Sequence, residues 1–212
     1  MTSARPARFI TLEGGEGAGK STHAQRLSQA LTEFGIANIV TREPGGSPGA
    51  EEIRKLLVEG EPGRWDPLVE TLLMFAARAD HVQRTIRPPL DLGKWVICDR
   101  FTDSTFAYQG AGRGIGADVI RQIEQVSVGG LRPDLTVILD VPVDEALNRI
   151  GSRHHAEDRF EKFDRAFHER LRTFFQGLAR CEPERCVLID TRAPADEVAQ
   201  QIWRTVAARF GL

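Results

Sequence analysis

Cysteine is scarce: Cys98, Cys181 and Cys186 are the three in a chain of 212 residues. An odd number, with no apolar leader ahead of it, argues against a disulfide-stapled secreted scaffold. Cys181 and Cys186 lack a second thiol pair and read as reduced cysteines rather than metal ligands. No apolar run approaches the roughly 18 residues that cross a bilayer, which excludes a membrane-spanning helix. Neither sign of charge dominates: a net charge of −2 offers no basic surface for nucleic acid or for anionic lipid. Internal repeats, low-complexity tracts and linkers are missing as well. The expectation is one domain over residues 9–212, behind a flexible polar tail of residues 1–8, in a cytoplasmic protein.

What the chain does have is glycine in the right place. FITLEGGEGAGKST runs from Phe9 to Thr22. A short apolar strand pattern gives way to Gly14, Gly15, Glu16, Gly17, Ala18 and Gly19, then to Lys20, Ser21 and Thr22 at the head of a helical pattern. From Gly14 to Ser21 the spacing is G-x-x-x-x-G-K-S, the phosphate-binding loop. Glycines let successive backbone N–H groups curl around an anion, and the helix start adds its own unpaired donors. Lys20 can reach the outer phosphates, and the Ser21 hydroxyl suits Mg²⁺. The competing dinucleotide fingerprint fails, because Gly15 and Gly17 would need glycine where Lys20 stands. The ligand expected is a nucleoside polyphosphate.

Strand and helix patterns alternate along the rest. Helical spacing follows the loop as far as Gly35, and a second strand is expected at 36–40. Residues 47–59 read as a helix. A long helical region covers 67–92, ended or bent at Pro88-Pro89. Apolar strands at 95–98 and 135–139 end on Asp99 and Asp140. Helices are expected at 117–128 and 143–150, and then across the stripe Phe160, Phe163, Phe167, Leu171, Phe174 and Leu178. A last strand at 187–189 precedes a helix opened by Pro194. Near-continuous apolar strands separated by helices imply an α/β fold with a parallel sheet covered on both faces. Ligands then lie beyond the carboxyl ends of the strands.

That edge collects further chemistry. Thr41-Arg42-Glu43-Pro44-Gly45-Gly46 follows the second strand, and Asp99-Arg100-Phe101 follows the third, leading to Ser104, Thr105, Tyr108 and Gln109. Met74-Phe75-Ala76-Ala77-Arg78 lies on the long helix. Arginine pairs bidentately with phosphate, and a Met or aromatic face packs on a nucleobase. Asp99 sits where a nucleoside triphosphatase places its Mg²⁺-side acid. Plainer readings stand beside these: Arg42–Gly46 as a polar turn, Asp99 as a strand-end carboxylate, Phe75 as core. Arg78 in an apolar stripe is harder to explain without an anion or base partner.

EGGEGAGKST, TREPGG, MFAAR, DRFTDSTFAYQG, RPDLTVILD and DRFE, in this order and spacing, make the chain resemble the thymidylate kinases of the bacterial type, from about Phe9 to the C-terminus. The resemblance implies a P-loop kinase fold, with a five-stranded parallel sheet flanked by helices, a short mobile lid at about 150–160, and a homodimer. The implied reaction moves the γ-phosphoryl group of ATP to dTMP, with Mg²⁺ held near Ser21 and Asp99. Glu16 would face the dTMP 3′-hydroxyl, Arg100 the acceptor phosphate, and Arg78 the thymine edge. Thr105 and Gln109 would lie on the base or around it, and Tyr108 against the deoxyribose. Arg42, Pro44, Arg54 and Ser104 are further dTMP-side candidates. Thr191 to Ala193, with Arg192, would lie near adenine, and Arg149 and Arg159 would serve ATP. The thymine-stacking ring of the family has Met74 in its place, with Phe75 one residue later, and either could cover the base.

A phosphate-monoester nucleophile is mostly dianionic at neutral pH, its second pKa being about 6, so no general base is required. Charge neutralisation and alignment are required. Among the loop's variable positions Gly15, Glu16, Gly17 and Ala18 there is no basic side chain, so a lid arginine is expected to act on the transferring group. Arg153 is the candidate for that role. His154 and His155 read as solvated. An N-K-x-D segment for reading guanine is missing, which argues against a GTPase switch. A nucleoside kinase, or another nucleoside monophosphate kinase, and a non-kinase P-loop ATPase remain the alternatives.

Overall fold

A computed structural model describes residues 6–151 and 159–212. The strands are β1 (Phe9–Glu13), β2 (Asn38–Arg42), β3 (Trp95–Asp99), β4 (Leu135–Asp140) and β5 (Cys186–Asp190). They make one parallel sheet in the order β2-β3-β1-β4-β5. The helices are α1 (Lys20–Glu33), α2 (Pro48–Val58), α3 (Pro67–His81), α4 (Arg87–Asp91), α5 (Thr102–Thr105), α6 (Ala117–Val128), α7 (Val143–Ile150), α8 (Arg165–Cys181) and α9 (Ala195–Phe210).

The strand pleat sorts the core into two faces. Ile10 and Leu12 point to one side, where Leu27 and Leu31 of α1 and Val198, Ile202 and Val206 of α9 cover them. Phe9, Val96 and Cys98 point to the other, against Phe75 and Ile120 of α3 and α6. Beside them, Ile138 packs with Leu57 of α2 and with Phe167, Leu171 and Phe175 of α8. β1 and β3 are buried along their whole length, which is why they lack polar alternation. The fold expected from the sequence is the one found.

Several boundaries differ. The second strand begins two residues later than expected, because Ile36 closes the α1 turn through its bond to Leu31 O at 2.8 Å. The long helix widens into π spacing over Val82–Ile86 before α4. Pro88 and Pro89 stand at the start of α4 and have no N–H to give the preceding turn. Residues Phe106–Gly112 extend α5 as a π-helical turn, in a stretch with no helical expectation. Phe160 and Phe163 precede α8, which starts only after Asp164 accepts from Phe167 N at 2.7 Å. Arg8, assigned to the tail, ion-pairs with Asp134 at 2.9 Å.

Candidate active site

The loop after β1 can lie close under the sheet edge because two positions carry no side chain. Gly14 has φ +134°, and a Cβ there would sit 2.3 Å from Leu139 O. Gly17 has φ +70°, and its Cβ would meet Ala146 O at 2.6 Å. L-residues rarely adopt either conformation. The loop borders a cleft of about 620 Å³, together with Asp99, Arg100, Arg149, Thr191 and Ala193. That volume is of the size that nucleotides occupy.

Lys20 Nζ donates to Gly15 O at 2.6 Å across this loop. Burial lowers its pKa, Arg100 lowers it further, and the carboxylates of Glu16 and Asp99 recover part, leaving it at about 8. Ser21 Oγ donates to Asp99 Oδ2. A hydroxyl and a carboxylate oxygen thus meet beside the phosphate loop, the hard-donor pair that Mg²⁺ takes when phosphates complete its coordination. Among the described residues no group of three or more His, Cys, Asp or Glu gathers elsewhere to hold a metal.

A second cavity opens off this cleft, bordered by Glu16, Glu43, Pro44, Met74, Arg78, Arg100, Ser104, Thr105, Tyr108, Gln109 and Phe160. Its entrance is organised by Arg100, whose φ of 71° is the one positive value for a non-glycine among the described residues. Arg100 Nη1 donates to Gly14 O at 3.0 Å and to Ser104 Oγ at 3.2 Å, and Nη2 donates to Glu16 Oε1 at 2.8 Å. Burial works against its charge, but Glu16, Tyr108 and Asp99 push its pKa further up. Tyr108 Oη donates to the same Glu16 Oε1 at 2.9 Å. Burial alone would raise the Glu16 carboxyl; Arg100, Lys20 and the Tyr108 hydroxyl outweigh it and hold it at about 2.

At the inner end, Arg78 is 3% exposed and fully braced. Nε donates to Glu43 Oε2 at 2.6 Å, Nη1 to Thr105 Oγ1 at 3.0 Å, and Nη2 to Phe101 O at 3.0 Å. One N–H on each terminal nitrogen remains for a ligand. Gln109 donates to Glu70 Oε1 at 2.9 Å. Of the two residues the sequence left open, Met74 is the one that borders the cavity. Phe75 is 1% exposed in the core beside Phe9, where it underlies the Arg78 guanidinium at 4.7 Å.

Other candidates fall less simply. Arg42 pairs with Glu51 at 3.2 Å and Arg54 donates to Pro44 O at 2.5 Å, both bordering the large cleft. Arg149 donates to Thr191 O at 2.9 Å on its far side. Arg159, expected to serve ATP, is wholly buried instead. Its guanidinium is committed to Glu70 and to the carbonyls of Leu57, Glu61 and Pro62. It does not border the cleft. Arg192 pairs with Asp190, its neighbour by two, and does not border the cleft either. Arg153, His154 and His155 lie outside the described residues.

Some residues have no local sequence signal. Glu13 ends β1 fully buried and accepts from Phe101 N at 2.7 Å and Ser104 Oγ at 2.6 Å. Burial, then the neighbouring Asp103, pushes it up to about 7. Glu43 stood in the TREPGG segment, but its pairing with Arg78 and with His81 Nδ1 at 2.9 Å joins residues 35 and 38 positions away. Glu70 binds Arg113 at 2.7 Å and Arg159.

The family model for thymidylate kinase matches residues 12–202. The thymidylate kinase of Caulobacter vibrioides is 54% identical over 204 residues, covering 96% of this chain and 98% of that one. That of a Bradyrhizobium species is 50% identical over 205 residues, covering 96% and 91%. Among solved structures, a thymidylate kinase from Ehrlichia chaffeensis superposes with a TM-score of 0.78 at 33% identity, over 95% of this chain and 99% of its own. Among the described residues no helix is long and apolar enough to cross a membrane.

Proposed function

The chain belongs to the thymidylate kinase family and transfers the γ-phosphoryl group of ATP to dTMP, giving dTDP and ADP, and from that premise we propose how its residues divide the task. The phosphate loop holds the ATP phosphates, with Lys20 between the β- and γ-groups. The adenine lies toward Thr191 and Ala193, on the side closed by Arg149. The smaller cavity takes dTMP. Arg78 donates to a thymine carbonyl from its two uncommitted N–H groups, Met74 covers the ring, and Tyr108 lies beside the sugar. Glu16 receives both Arg100 and Tyr108 on one oxygen, which leaves Oε2 for the sugar 3′-hydroxyl.

Arg100 carries the acceptor side. Among the described residues its Nε–H and second Nη2–H donate no hydrogen bond, which leaves a fork for the monophosphate. Held by Gly14 O and Glu16, it joins the acceptor to the loop that binds the donor, so two repelling anions are brought into line by one braced cation. The acceptor oxygen is already anionic, and no side chain need take a proton. Ser21 and Asp99 would hold Mg²⁺, which supplies charge neutralisation on the donor phosphates. Arg153 is proposed for the transferring group, on the sequence argument alone.

We further propose that the enzyme acts in the cytoplasm as a homodimer. The exposed apolar residues Leu68, Val69 and Leu72 of α3 and Val119 and Val126 of α6, on two helices in contact, support the dimer.

The observation that carries the assignment is the Glu16–Arg100–Tyr108 junction between the two cavities. Arg100→Lys keeps the charge and loses the fork. It should lower kcat/KM for dTMP by about a hundredfold, with the Kd of ATP measured alone changed by less than about threefold. Equal losses for both substrates would assign Arg100 to ATP or to the fold.

A further inference from the structure

Glu70 is one carboxylate serving three partners in a place water does not reach. It stands in the first turn of α3 and is 0% exposed. Oε2 accepts from Arg113 Nη1 at 2.7 Å and from Arg159 Nη2, while Oε1 accepts from Gln109 Nε2 at 2.9 Å. The two arginines are braced in turn. Arg113 Nη2 donates to Trp65 O at 2.8 Å, and Arg159 donates to the carbonyls of Leu57, Glu61 and Pro62. The carboxylate is therefore fixed in place from behind, and its third contact faces the base cavity.

The chemistry of that third contact has one solution. As the partner of two guanidiniums, Glu70 can only accept, so the Gln109 amide must turn its NH₂ toward it. The amide carbonyl Oε1 then points elsewhere, and it has no hydrogen-bond partner among the described residues. Gln109 and Arg78 both border the cavity. Its lining thus offers donors from Arg78 and an acceptor from Gln109. A pyrimidine with a carbonyl next to a ring N–H complements that pair; one with an amino group next to a bare ring nitrogen opposes both. An amide free to flip would offer either face.

We propose that Glu70 is a positioning residue for base selection: it locks the Gln109 amide so that its oxygen faces the cavity, and so favours a thymine edge over a cytosine edge. The proposal rests on the reading that Gln109 faces the base. Arg113 and Arg159 act behind it as the clamp that holds the Glu70 carboxylate in place.

The test compares kcat/KM for dTMP and dCMP in the full-length enzyme with ATP. Gln109→Ala tests the underlying reading, and should lower the dTMP-to-dCMP ratio by about tenfold or more. Glu70→Gln, which can present either an N–H₂ or a carbonyl to Gln109, should lower the same ratio by about tenfold. It should do so with the Kd of ATP unchanged, and it should have no further effect on the ratio in a Gln109→Ala background. An unchanged ratio in Gln109→Ala overturns the base-facing reading. A lowered ratio there with an unchanged ratio in Glu70→Gln overturns the positioning role alone, as does a loss in Glu70→Gln that is equal for both substrates.

Since Glu70→Gln weakens the pairing of one buried and one partly exposed guanidinium, folding is checked by thermal melting, and Glu70→Asp, which keeps the charge but shortens the reach to Gln109, is the second variant. The wild-type chain supplies a measurement independent of both. The Gln109 side-chain N–H₂ signals, assigned by their loss in Gln109→Ala, should be protected from solvent exchange in the nucleotide-free enzyme. Exchange as fast as that of an exposed glutamine would mean that the amide is not locked, and the proposal would fail.

Discussion

Lys20 is 6% exposed, and that burial is the main reason its pKa is lowered to about 8. The free enzyme therefore starts to lose this charge as pH rises through about 8, whereas an ordinary lysine would hold it to beyond 10. Bound triphosphate favours the ammonium form and raises the pKa again. kcat/KM for ATP, which reports free-enzyme groups, should fall about tenfold per unit above pH 8, while kcat holds to higher pH. Both parameters flat to pH 10 would show that Lys20 does not titrate where its burial puts it. Much of the residue scale was legible, because the phosphate loop states its chemistry in consecutive residues. Met74 against Phe75 was not, since neighbours on a helix differ by about 100° in direction, and only the packing of α3 on β1 and β3 tells which one turns to the cavity.

The phosphate loop as an element packs closely against β4. Gly14 lies against the Leu139 carbonyl so closely that a methyl group would reach 2.3 Å from it. Gly14→Ala combines that clash with a φ of +134°. It should lower stability by about 2–4 kcal/mol and abolish ATP binding, read by thermal melting and calorimetry. Native stability with intact ATP affinity would contradict the close approach. Alternating strands and helices were read correctly from apolar periodicity. The helical stretch from Thr102 to Gly112 was not, because TDSTFAYQG is rich in turn formers. Its helix is secured from outside: Ser104 donates to Glu13, Arg78 reaches Phe101 O, and Arg100 reaches Ser104. The start of α8 was misplaced for a related reason. Phe160 and Phe163 continue the apolar stripe, but they are drawn toward Tyr108 and Phe167 by ring contacts instead. Glu70 with its arginines joins positions 43 and 89 apart, a separation at which periodicity carries no information.

At the scale of the whole molecule, the parallel sheet brings five strand ends to one edge, where the proposed donor cleft and acceptor cavity share Arg100 and Glu16. The same architecture leaves apolar surface on α3 and α6, with Leu72 48% and Val126 88% exposed. The protein should sediment at twice its 23.5 kDa chain mass, and Leu72→Arg should shift it toward the monomer at micromolar concentration. A wild-type monomer at those concentrations would remove the dimer from the account. The account stands most directly on which molecule accepts the phosphoryl group. Purified enzyme with ATP and Mg²⁺ should be offered dTMP, dUMP, CMP, AMP, GMP and thymidine in turn, with ADP release followed. The braced Arg78, the Glu16–Tyr108 pair proposed to lie beside the sugar and the fork proposed for Arg100 predict dTMP as the preferred acceptor, with thymidine inert because it would bring no phosphate to Arg100. Turnover of CMP, AMP or GMP equal to that of dTMP, or phosphorylation of thymidine itself, would contradict it.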